Sequence, residues 1–513
     1  MDRKAPVLGR EELEEFRQKT KEFYAGNITK NDYKGYSGRY GSYAQKGGHS
    51  SMLRLRMAGG RLTKDKLQFI TESIEKHGVK KVHFTTCQTI QLHDLDADAV
   101  CDIMAGAMEH DIVTLGGGGD FPRNVMAPPL SGTQKDEYFD VLPYAKKAEE
   151  FLLTFLDARK MPRKLKVCFS TGPANVTHAT FRDLGFVARP DGTFDVYSAG
   201  GLGNNPKIGL KMAEAVDPSR VLYYILAMRE VFLEHGNYEQ RGKARTRYMR
   251  DKLGDEGYRQ AYLAKLAQAE AGEDLTIRVE PEEITKAGDG TEASGERILA
   301  QKQEGLYTVA YHPLGGCPDP SFFRRIFDTV REMEAVELRI APDETVYIIN
   351  LTGKEAREVL DATSDSARTP FETSVACIGA SICQAGVRDS QSLLQAAVKA
   401  VREAGIAPDA LPRVHISGCP SSCGTHQIGQ IGFRGGVKMV DKKPQSAFEV
   451  YFFGCDRQGD EYLGDDAGAM LETDIPAFLV ELGQEVEKSG LSYAAWEKDN
   501  RDRLLEIAAA YTS

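Results

Sequence analysis

Residues 52–95 read MLRLRMAGGRLTKDKLQFITESIEKHGVKKVHFTTCQTIQLHDL, and residues 308–351 read TVAYHPLGGCPDPSFFRRIFDTVREMEAVELRIAPDETVYIINL. A single offset of 256 residues aligns the two stretches without a gap. The offset places a Gly-Gly pair and several apolar residues on their counterparts: Gly59 and Gly60 on Gly315 and Gly316, and Ile70, Ile74, Val82 and Phe84 on Ile326, Val330, Leu338 and Ile340. This repeat indicates a chain that is built twice. Chance similarity between two common α/β units is the alternative.

Each copy is predicted to form a strand, a Gly-Gly turn, an amphipathic helix, a strand, a turn and a strand. The spacing of Leu67, Ile70 and Ile74 predicts the helix, and Val82 and Phe84 share one face of the strand after it. Residues 272–305 are polar and rich in Gly, Glu and Lys, which is typical of a surface connection. Each half then continues with a further α/β segment, so we expect a pseudo-twofold molecule with a shared cleft.

Length, charge and cysteine count exclude several classes of protein. A chain of 513 residues suggests about three domains. The net charge of −10 argues against broad nucleic-acid binding, although it allows a local basic pocket for a small anion. We expect no membrane span, because no apolar run reaches about 20 residues. The N-terminus lacks an apolar signal region, so we expect a cytoplasmic location. Nine cysteines, an odd number in a long chain, argue against a secreted disulfide framework.

Four cysteines carry the strongest chemical signal. Cys377 and Cys383 form a C-x5-C pair in SVACIGASICQAGVRDS, and Cys419 and Cys423 form a C-x3-C pair in HISGCPSSCGTHQIG. Gly, Ser and Pro around both pairs favour loops that fold around a ligand, and DSQSLLQAAVKAVREAG between them predicts a helix. Four thiolates are the usual ligands of a [4Fe-4S] cluster. A structural zinc fits the C-x5-C spacing less well, and four unliganded core cysteines are the third possibility.

Basic residues form a second pattern, in the first half. SMLRLRMAGG predicts a strand with Arg54 and Arg56 on one face, and RKLKVCF places Lys164 and Lys166 together in the same way. GGGGDFPRNV places Arg123 after four glycines, where the backbone can approach a ligand closely. Arg offers anions a planar fork, and Lys offers a mobile ammonium that can give a proton. The alternative is that these side chains simply face solvent.

These motifs resemble one enzyme family. CIGASIC and GCPSSCG are similar to the cluster signature of siroheme-dependent sulfite and nitrite reductases. MLRLRMAGG, GDFPRNV and PRKLK resemble that family's basic elements, and YSAGGLGNNPKIG and RGKARTRYM resemble elements that follow them. Taken alone, the last two are also typical of a simple turn and of the polar face of a helix. The motifs follow the family's order over nearly the full chain.

The resemblance implies an α+β fold with the pseudo-twofold nitrite/sulfite reductase architecture, in which two ferredoxin-like half-domains accompany two α/β domains that bind siroheme and cluster. The expected division is an N-terminal arm with the first half-domain at 1–115, the first siroheme-binding α/β domain at 116–271, a linker at 272–305, the second half-domain at 306–368, and the [4Fe-4S]/siroheme-binding α/β domain at 369–513.

The resemblance also implies roles for individual residues. The cluster ligands would be Cys377, Cys383, Cys419 and Cys423, and Cys423 would also bridge to the siroheme iron. The residues around the substrate would be Arg54, Arg123, Lys164 and Lys166. The further cofactor-binding residues would be Arg163, Arg245, Asn124 and Ser421. Siroheme carries many carboxylates and the substrate is an anion, so both require cations and donors.

Three positions depart from the family pattern. Ser421 stands where the family usually has Asn, and Ala58 where it has Pro. Cys87, in FTTCQTIQLH, stands where the family commonly has Arg, so a siroheme-facing cation is missing. Cys87 is interpreted as a neutral packing residue or, as the second choice, as a residue that alters substrate preference or siroheme placement.

The implied function is the six-electron reduction of sulfite to sulfide or of nitrite to ammonia, in which each departing oxygen must be protonated. Sulfite is the expected preference, because Lys166 is retained where plant-type nitrite reductases tend to have Asn. The expected electron donor is ferredoxin or a separate donor protein, since the chain shows no dinucleotide fingerprint. The alternatives are an oxygenase similar to precorrin-3B synthase and a non-catalytic zinc-binding protein. No nucleic-acid or membrane partner is expected.

Overall fold

The computed structural model describes residues 6–512. The strands of the first half are β1 (Ser42–Ala44), β2 (Ser51–Arg56), β3 (Arg61–Leu62), β4 (Val82–Phe84), β5 (Thr89–Leu95), β6 (Val167–Ser170), β7 (Leu184–Ala188), β8 (Phe194–Ser198) and β9 (Leu210–Val216). The helices of the first half are α1 (Arg10–Tyr24), α2 (Lys30–Ser37), α3 (Lys64–Lys76), α4 (Ala97–Glu109), α5 (Leu142–Leu153), α6 (Val221–His235) and α7 (Tyr248–Glu270).

The second half continues with the same mixture of elements. Its strands are β10 (Ile298–Ala300), β11 (Tyr307–Tyr311), β12 (Glu337–Ile340), β13 (Val346–Leu351), β14 (Val375–Ala376), β15 (Val414–Ser417), β16 (Ile431–Val440), β17 (Lys443–Phe452) and β18 (Asp465–Leu471). Its helices are α8 (Ser321–Val330), α9 (Gly353–Ala362), α10 (Ser390–Glu403), α11 (Ile475–Ser489), α12 (Tyr493–Asp499) and α13 (Arg501–Thr512).

The repeat at offset 256 has the predicted elements in both copies. Helix α3 buries Leu67, Ile70 and Ile74, as the spacing predicts, and α8 follows the second Gly-Gly turn as α3 follows the first. Gly60 and Gly316 both have φ of +68°. A Cβ on Gly60 would lie 2.4 Å from the carbonyl oxygen of Ile340, and one on Gly316 would lie 2.9 Å from that of Phe84. Each turn therefore needs glycine because it packs against a strand end of the other half.

The two repeat units share one hydrophobic core. The first forms an antiparallel sheet in the order β1-β2-β5-β4, and the second a sheet in the order β10-β11-β13-β12-β3. Strand β3 comes from the first half, and Leu62 pairs with Leu338 of β12. Buried side chains from both sheets form a continuous apolar cluster, so neither unit buries its face alone.

The polar segment 272–305 is a fixed part of this arrangement. It supplies β10, which pairs with β11 along the edge of the second sheet. The Lys286 ammonium also donates to the carbonyl of Asn350 at 2.8 Å and to a carboxylate oxygen of Glu355 at 2.5 Å. The segment thus runs over the surface as the sequence predicts, but it is tied to both halves, since the N–H groups of Ile277 and Lys302 donate to the carbonyls of Ser219 and Thr133 in the first half, each at 2.9 Å.

Two further sheets each have a core of their own. One has the order β6-β7-β8-β9 and the other the order β14-β15-β16-β17-β18. Strands β6 and β7 are parallel, as are β15 and β16, and the register pairs Val167 with Leu184 and Val414 with Ile431. This mixture of sheets and helices confirms the predicted α+β class. Among residues 6–512, no helix combines the length and the apolar character needed to cross a bilayer.

A second gapless repeat, absent from the sequence predictions, lies in these sheets. Residues 167–186 align with residues 414–433 at an offset of 247. The loop after the first strand has left-handed backbone at Asn175 and His178 in the first half and at the aligned Ser422 and Thr425 in the second. The two loops therefore follow the same path, and the loop of the second half carries Cys419 and Cys423.

Candidate active site

A cavity of about 400 Å³ lies between the halves. The first half contributes loops and strand ends around residues 43–56, 83–93, 117–124 and 163–166, and the second half contributes 377–386 and 418–425. Twelve predicted site residues line it: Arg54, Arg123, Asn124, Arg163, Lys164, Lys166, Arg245, Cys377, Cys383, Cys419, Ser421 and Cys423. The structure therefore brings together residues that are more than 300 positions apart in sequence.

The two cysteine loops leave the same edge of a sheet. Strands β14 and β15 are parallel neighbours, so Cys377 after the first and Cys419 after the second lie at the same end. The N–H of Gly418 donates to the Cys377 sulfur at 3.2 Å, and the Ser390 hydroxyl lies 3.1 Å from it. Backbone donors of this kind stabilise sulfur that carries negative charge.

Two of the four thiols, Cys377 and Cys423, lie in a protein environment that disfavours the free thiolate. Burial raises the pKa of Cys377 to about 12, and Cys423 adds to the rise. Burial also raises the pKa of Cys423, against the lowering effect of Lys164. Cys423 is exposed only because it faces the cavity. A bound metal would supply the positive charge that turns these thiols into thiolates.

Within residues 6–512, no three His, Cys, Asp or Glu side chains are spaced to hold a single metal ion. A cube distributes its four thiolates over four irons, which requires wider spacing than one ion does. The Gly418 N–H on the Cys377 sulfur and the cations beside Cys423 suit an anionic cluster. The donor set and the cavity therefore fit an iron–sulfur cluster beside an anionic macrocycle.

The arginines predicted at the substrate are held by the Gly-rich loop. The Arg54 guanidinium donates to the carbonyl of Gly117, and Arg123 donates to the carbonyls of Gly117 and Gly119, each at 2.8 Å. Burial and the nearby Arg54 lower the pKa of Arg123 to about 10. Because these bonds end on neutral carbonyls, they orient the two guanidinium groups without neutralising their charge.

Lys164 carries a charge that the fold leaves unbalanced. Its ammonium has no hydrogen-bond or ion-pair partner in the described part of the chain. Burial, followed by Lys166, Arg245 and Arg123, lowers the pKa of Lys164 well below its usual range. A buried cation in this state is stabilised by an incoming anion.

Arg56 has a structural role, although it shares a strand face with Arg54. It is 1% exposed, and its guanidinium contacts a Glu149 carboxylate oxygen at 2.7 Å. It also donates to the carbonyls of Leu115 at 2.7 Å and of Pro122 at 3.2 Å. Arg56 thereby braces the loop that carries Arg123.

Two cations predicted to contact siroheme are paired with carboxylates of the protein. Arg163 contacts Asp120 at 2.9 Å, and the same carboxylate accepts from Arg241 at 2.6 Å. Arg245 contacts Asp183 at 2.8 Å. Arg163 and Arg245 nevertheless line the cavity, so their carboxylate partners fix their direction while leaving other N–H groups available.

The two remaining predicted residues also face the cavity. The Asn124 amide donates to the carbonyls of Cys87 at 3.1 Å and Gln88 at 3.2 Å, and its own oxygen has no partner. Ser421 lies in the cysteine loop, where the segment around Gly203 of the first half approaches it. A Cβ on Gly203 would lie 3.5 Å from the Ser421 carbonyl oxygen.

Cys87 lies beside a cation. The Lys166 ammonium is 3.1 Å from the Cys87 sulfur. Burial alone would raise the pKa of this thiol, but Lys166, Arg182 and Lys164 together lower it to about 6. The sequence suggests that a cation is missing at this position and that Cys87 is a neutral packing residue. The structure instead favours the thiolate form of Cys87.

Several residues that sequence reasoning missed hold the two halves together around the cavity. The Thr86 hydroxyl donates to the Cys423 carbonyl at 2.8 Å, and the Lys46 ammonium donates to the Ala380 carbonyl at 3.0 Å. Sequence reasoning also missed an ion pair within the first half, in which Asp120 is shared between Arg163 and Arg241. Asp120 lies within the quoted GGGGDFPRNV motif, but a cross-half contact such as that of Thr86 leaves no signal in one sequence.

A second cavity, of about 790 Å³, corresponds to the first through the two repeats. Its lining includes Val176, which aligns with Cys423, and Gly172 in the same loop aligns with Cys419. The Asp343–Arg413 pair, 2.6 Å apart, lies on its wall. The duplicated backbone thus forms two related cavities, and the four predicted cluster ligands lie at the first.

Comparison with known proteins supports this assignment of the fold. A family model described as "Nitrite and sulphite reductase 4Fe-4S domain" matches residues 118–269, and one described as "Nitrite/Sulfite reductase ferredoxin-like half domain" matches residues 43–110. Both matches lie in the first half, where the basic residues are, and outside the four cysteines.

Relatives that align with 79–84% of the chain include nitrite and sulfite reductases. The chloroplastic ferredoxin–nitrite reductase of Betula pendula is 26% identical over 437 residues, covering 81% of this chain and 72% of that one. The ferredoxin–nitrite reductase of Synechococcus elongatus is 26% identical over 456 residues, covering 84% and 85%. Sulfite reductase [ferredoxin] 1 of Mycolicibacterium paratuberculosis is 24% identical over 418 residues, covering 79% and 73%.

One solved structure has the same fold over almost the entire chain. The Mycobacterium tuberculosis NirA protein superposes with a TM-score of 0.79 at 21% identity, covering 97% of this chain and 98% of that one. The architecture predicted from the internal repeat and the motifs is therefore confirmed at the level of the fold.

Proposed function

The chain belongs to the siroheme- and [4Fe-4S]-dependent nitrite/sulfite reductase family, and from this premise we propose that it catalyses the six-electron reduction of nitrite to ammonia or of sulfite to sulfide. As a member, it is an oxidoreductase with siroheme and a [4Fe-4S] cluster as cofactors. The observation that supports the reaction is the single cavity in which four thiols of the second half meet four cations of the first.

The ligand roles follow from the positions of the cysteines. We propose that Cys377, Cys383, Cys419 and Cys423 hold the cluster, and that Cys423, which opens onto the cavity, is shared with siroheme. When bound, the two cofactors supply single electrons and a metal site for the anion. Arg163, Arg245, Asn124 and Ser421 would hold the macrocycle from the walls of the cavity.

The chain itself supplies charge and protons. Arg54 and Arg123, fixed by the carbonyls of the Gly-rich loop, bind and orient the anion. Lys164 and Lys166 stand beside them, and the lowered pKa of both ammonium groups makes them better proton donors near neutral pH than a free lysine. This matters because every oxygen that leaves nitrite or sulfite departs with protons.

The electron donor is proposed to be a ferredoxin or a separate donor protein. The names of the relatives, ferredoxin–nitrite reductase and sulfite reductase [ferredoxin], support this choice. The preference for sulfite over nitrite, which rests on Lys166, stays a prediction, as does the cytoplasmic location.

The test has two parts. The purified protein should show siroheme absorption bands and should contain iron and acid-labile sulfide. Reduced methyl viologen should then drive the reduction of nitrite and sulfite to ammonia and sulfide. Zinc without iron would identify a zinc-binding protein, and a cluster without siroheme bands or anion reduction would favour the oxygenase alternative. Either result would disprove the proposed reaction.

A further inference from the structure

Cys87 occupies a fixed point on the wall of the active-site cavity. It lies in the short turn between β4 and β5, where Gln88 has left-handed backbone. The Gln88 side chain donates to the carbonyls of Ala127 at 2.7 Å and Ile340 at 2.8 Å, which anchors the turn to both halves. The Cys87 sulfur is therefore held in place beside the cations that line the cavity.

The charged groups that act most strongly on this thiol are cations. Lys166 contacts it at 3.1 Å, Arg182 and Lys164 lower its pKa, and Arg123 also interacts with it electrostatically. These cations come from the segment before β6, from the loop before β7 and from the Gly-rich loop. The position thus favours a negative charge strongly enough to overcome the cost of burial.

The second half provides an independent indication that this position holds an anion. The offset of 256 aligns Cys87 with Asp343, and the offset of 247 aligns Lys166 with Arg413. Asp343 and Arg413 form an ion pair of 2.6 Å. The duplicated fold therefore places an anion–cation pair at the same point of each half, with a thiol taking the place of the carboxylate in the first.

A further observation points to a ligand beside Cys87. Asn124, whose side chain lines the cavity, is 3% exposed and donates to the Cys87 carbonyl at 3.1 Å, yet its amide oxygen has no partner among the described residues. A buried polar atom without a partner is costly, and a bound polar molecule would satisfy it. The surroundings of Cys87 are therefore part of a binding site.

We propose that Cys87, as a thiolate, neutralises Lys166 and so sets the cavity to prefer a singly charged oxyanion, nitrite, over the doubly charged sulfite ion. This inference rests on the proposed function and reverses the preference predicted from Lys166. Lys166 is the cation on which the sulfite prediction depends, and its charge is balanced by Cys87. Arg54, Arg123 and Lys164 have no carboxylate partner in the described chain and still attract an anion. Balancing the charge of Lys166 weakens the attraction for a doubly charged ion more than for a singly charged one.

Substitution tests the charge effect directly. Cys87→Ser removes the anion at nearly constant size, and Cys87→Asp retains it as Asp343 does. At alkaline pH, where sulfite is a dianion, Cys87→Ser should raise the sulfite-to-nitrite ratio of kcat/KM by about tenfold. Cys87→Asp should stay within about twofold of the wild-type ratio.

Cys317→Ser, outside this cavity, controls for loss of a cysteine. An unchanged ratio in Cys87→Ser, or equal changes in Ser and Asp, would overturn the proposal.

Alkylation of the holoenzyme by iodoacetamide, with the Cys87 peptide followed by mass spectrometry, gives a readout that does not depend on turnover. The pH midpoint for Cys87 should lie near 6, and Lys166→Met should move it toward the usual thiol value of about 8.5. A wild-type midpoint at the usual value would also overturn the proposal.

Failure of the proposed function is distinguishable from failure of this inference. If the holoenzyme reduces neither anion, the proposed function is wrong, and calorimetric affinities for nitrite and sulfite in wild type, Cys87→Ser and Cys87→Asp then decide the role of Cys87. If it reduces both and Cys87→Ser leaves the kinetic and affinity ratios unchanged, only the inference about Cys87 is wrong.

Discussion

The hydroxyl of Thr86, in the first half, donates a 2.8 Å hydrogen bond to the backbone carbonyl of Cys423, in the second. This bond ties the loop carrying two predicted cluster ligands to the turn that carries Cys87.

Thr86→Val retains the shape of the side chain and removes the hydrogen-bond donor. We expect the free energy of unfolding to fall by about 1 kcal/mol and iron to be lost faster to a chelator, measured as decay of the visible absorbance. Thr473→Val, which removes an exposed bond to Asp474, should lose iron at the wild-type rate. Equal rates in all three proteins would show that the bond does not hold the loop.

Lys164 is predicted to lower the free energy of unfolding and, at the same time, to be required for catalysis. Its lowered pKa shows that the fold disfavours its charge, so Lys164→Met should increase the free energy of unfolding by about 0.5–2 kcal/mol. The same change should lower kcat/KM for nitrite at least about 100-fold. Denaturant unfolding and steady-state kinetics measure the two effects. Lys160→Met, at an exposed position, should change neither, and a destabilised Lys164→Met protein would contradict the interpretation.

The ion pair of Asp120 with Arg163 and Arg241 predicts a pH-dependent contribution to stability. Burial raises the pKa of this carboxyl, but Arg241 and Arg163 outweigh it and lower the pKa below its usual value. The stabilisation is therefore complete above the usual carboxyl pKa of about 4 and is lost as the pH falls through the lower folded-state value.

Asp120→Asn should accordingly be less stable than wild type by about 1–3 kcal/mol at neutral pH. The difference should shrink in acid, below about pH 4, and urea unfolding at a series of pH values measures it. Asp460→Asn, which removes an exposed partner of Arg457, should show a small difference at every pH. If the difference in the free energy of unfolding between wild type and Asp120→Asn grew as the pH fell, the result would contradict this prediction.

Gly418 is predicted to be essential for the cysteine loop. A Cβ at this position would lie 2.4 Å from the carbonyl oxygen of Arg388 and 3.6 Å from the Cys377 sulfur. Gly418→Ala must therefore move the loop, and iron retention should weaken about tenfold, measured as iron per chain after dialysis against a chelator. Gly436→Ala is the matched control, because its Cβ would meet no atom closer than 3.7 Å. Equal iron content in the two variants would exclude this steric role.

Much of the fold could be predicted from the sequence, because the repeat at offset 256 and the period of its apolar residues report directly on packing. Helix α3 and strand β4 fall where Leu67, Ile70 and Val82 place them. The second repeat was missed because it preserves a backbone path more than side chains: His178 and Thr425 share left-handed backbone, not chemistry. The pairing of β3 with β12 joins residues 276 positions apart, Leu62 and Leu338, and has no local signal.

The composition of the candidate site could also be predicted, but not its charge balance. The motifs placed Lys164, Arg123 and the four cysteines at one cavity, as the structure does. Sequence alternation put Arg54 and Arg56 on one face correctly, yet it could not show that Glu149 neutralises only Arg56. It also could not show that Cys87 lies against Lys166, because the thiol and the ammonium come from separate loops 79 residues apart.

The division of the cavity between the halves has a consequence for biosynthesis. On a ribosome the cations before residue 271 emerge long before Cys377, and Cys423 emerges last of the proposed ligands. A nascent first half thus exposes a positively charged surface with no sulfur donors to complete it. Assembly of the cluster is therefore a late step in maturation, because a chain that ends before Cys419 lacks two of the four proposed sulfur donors.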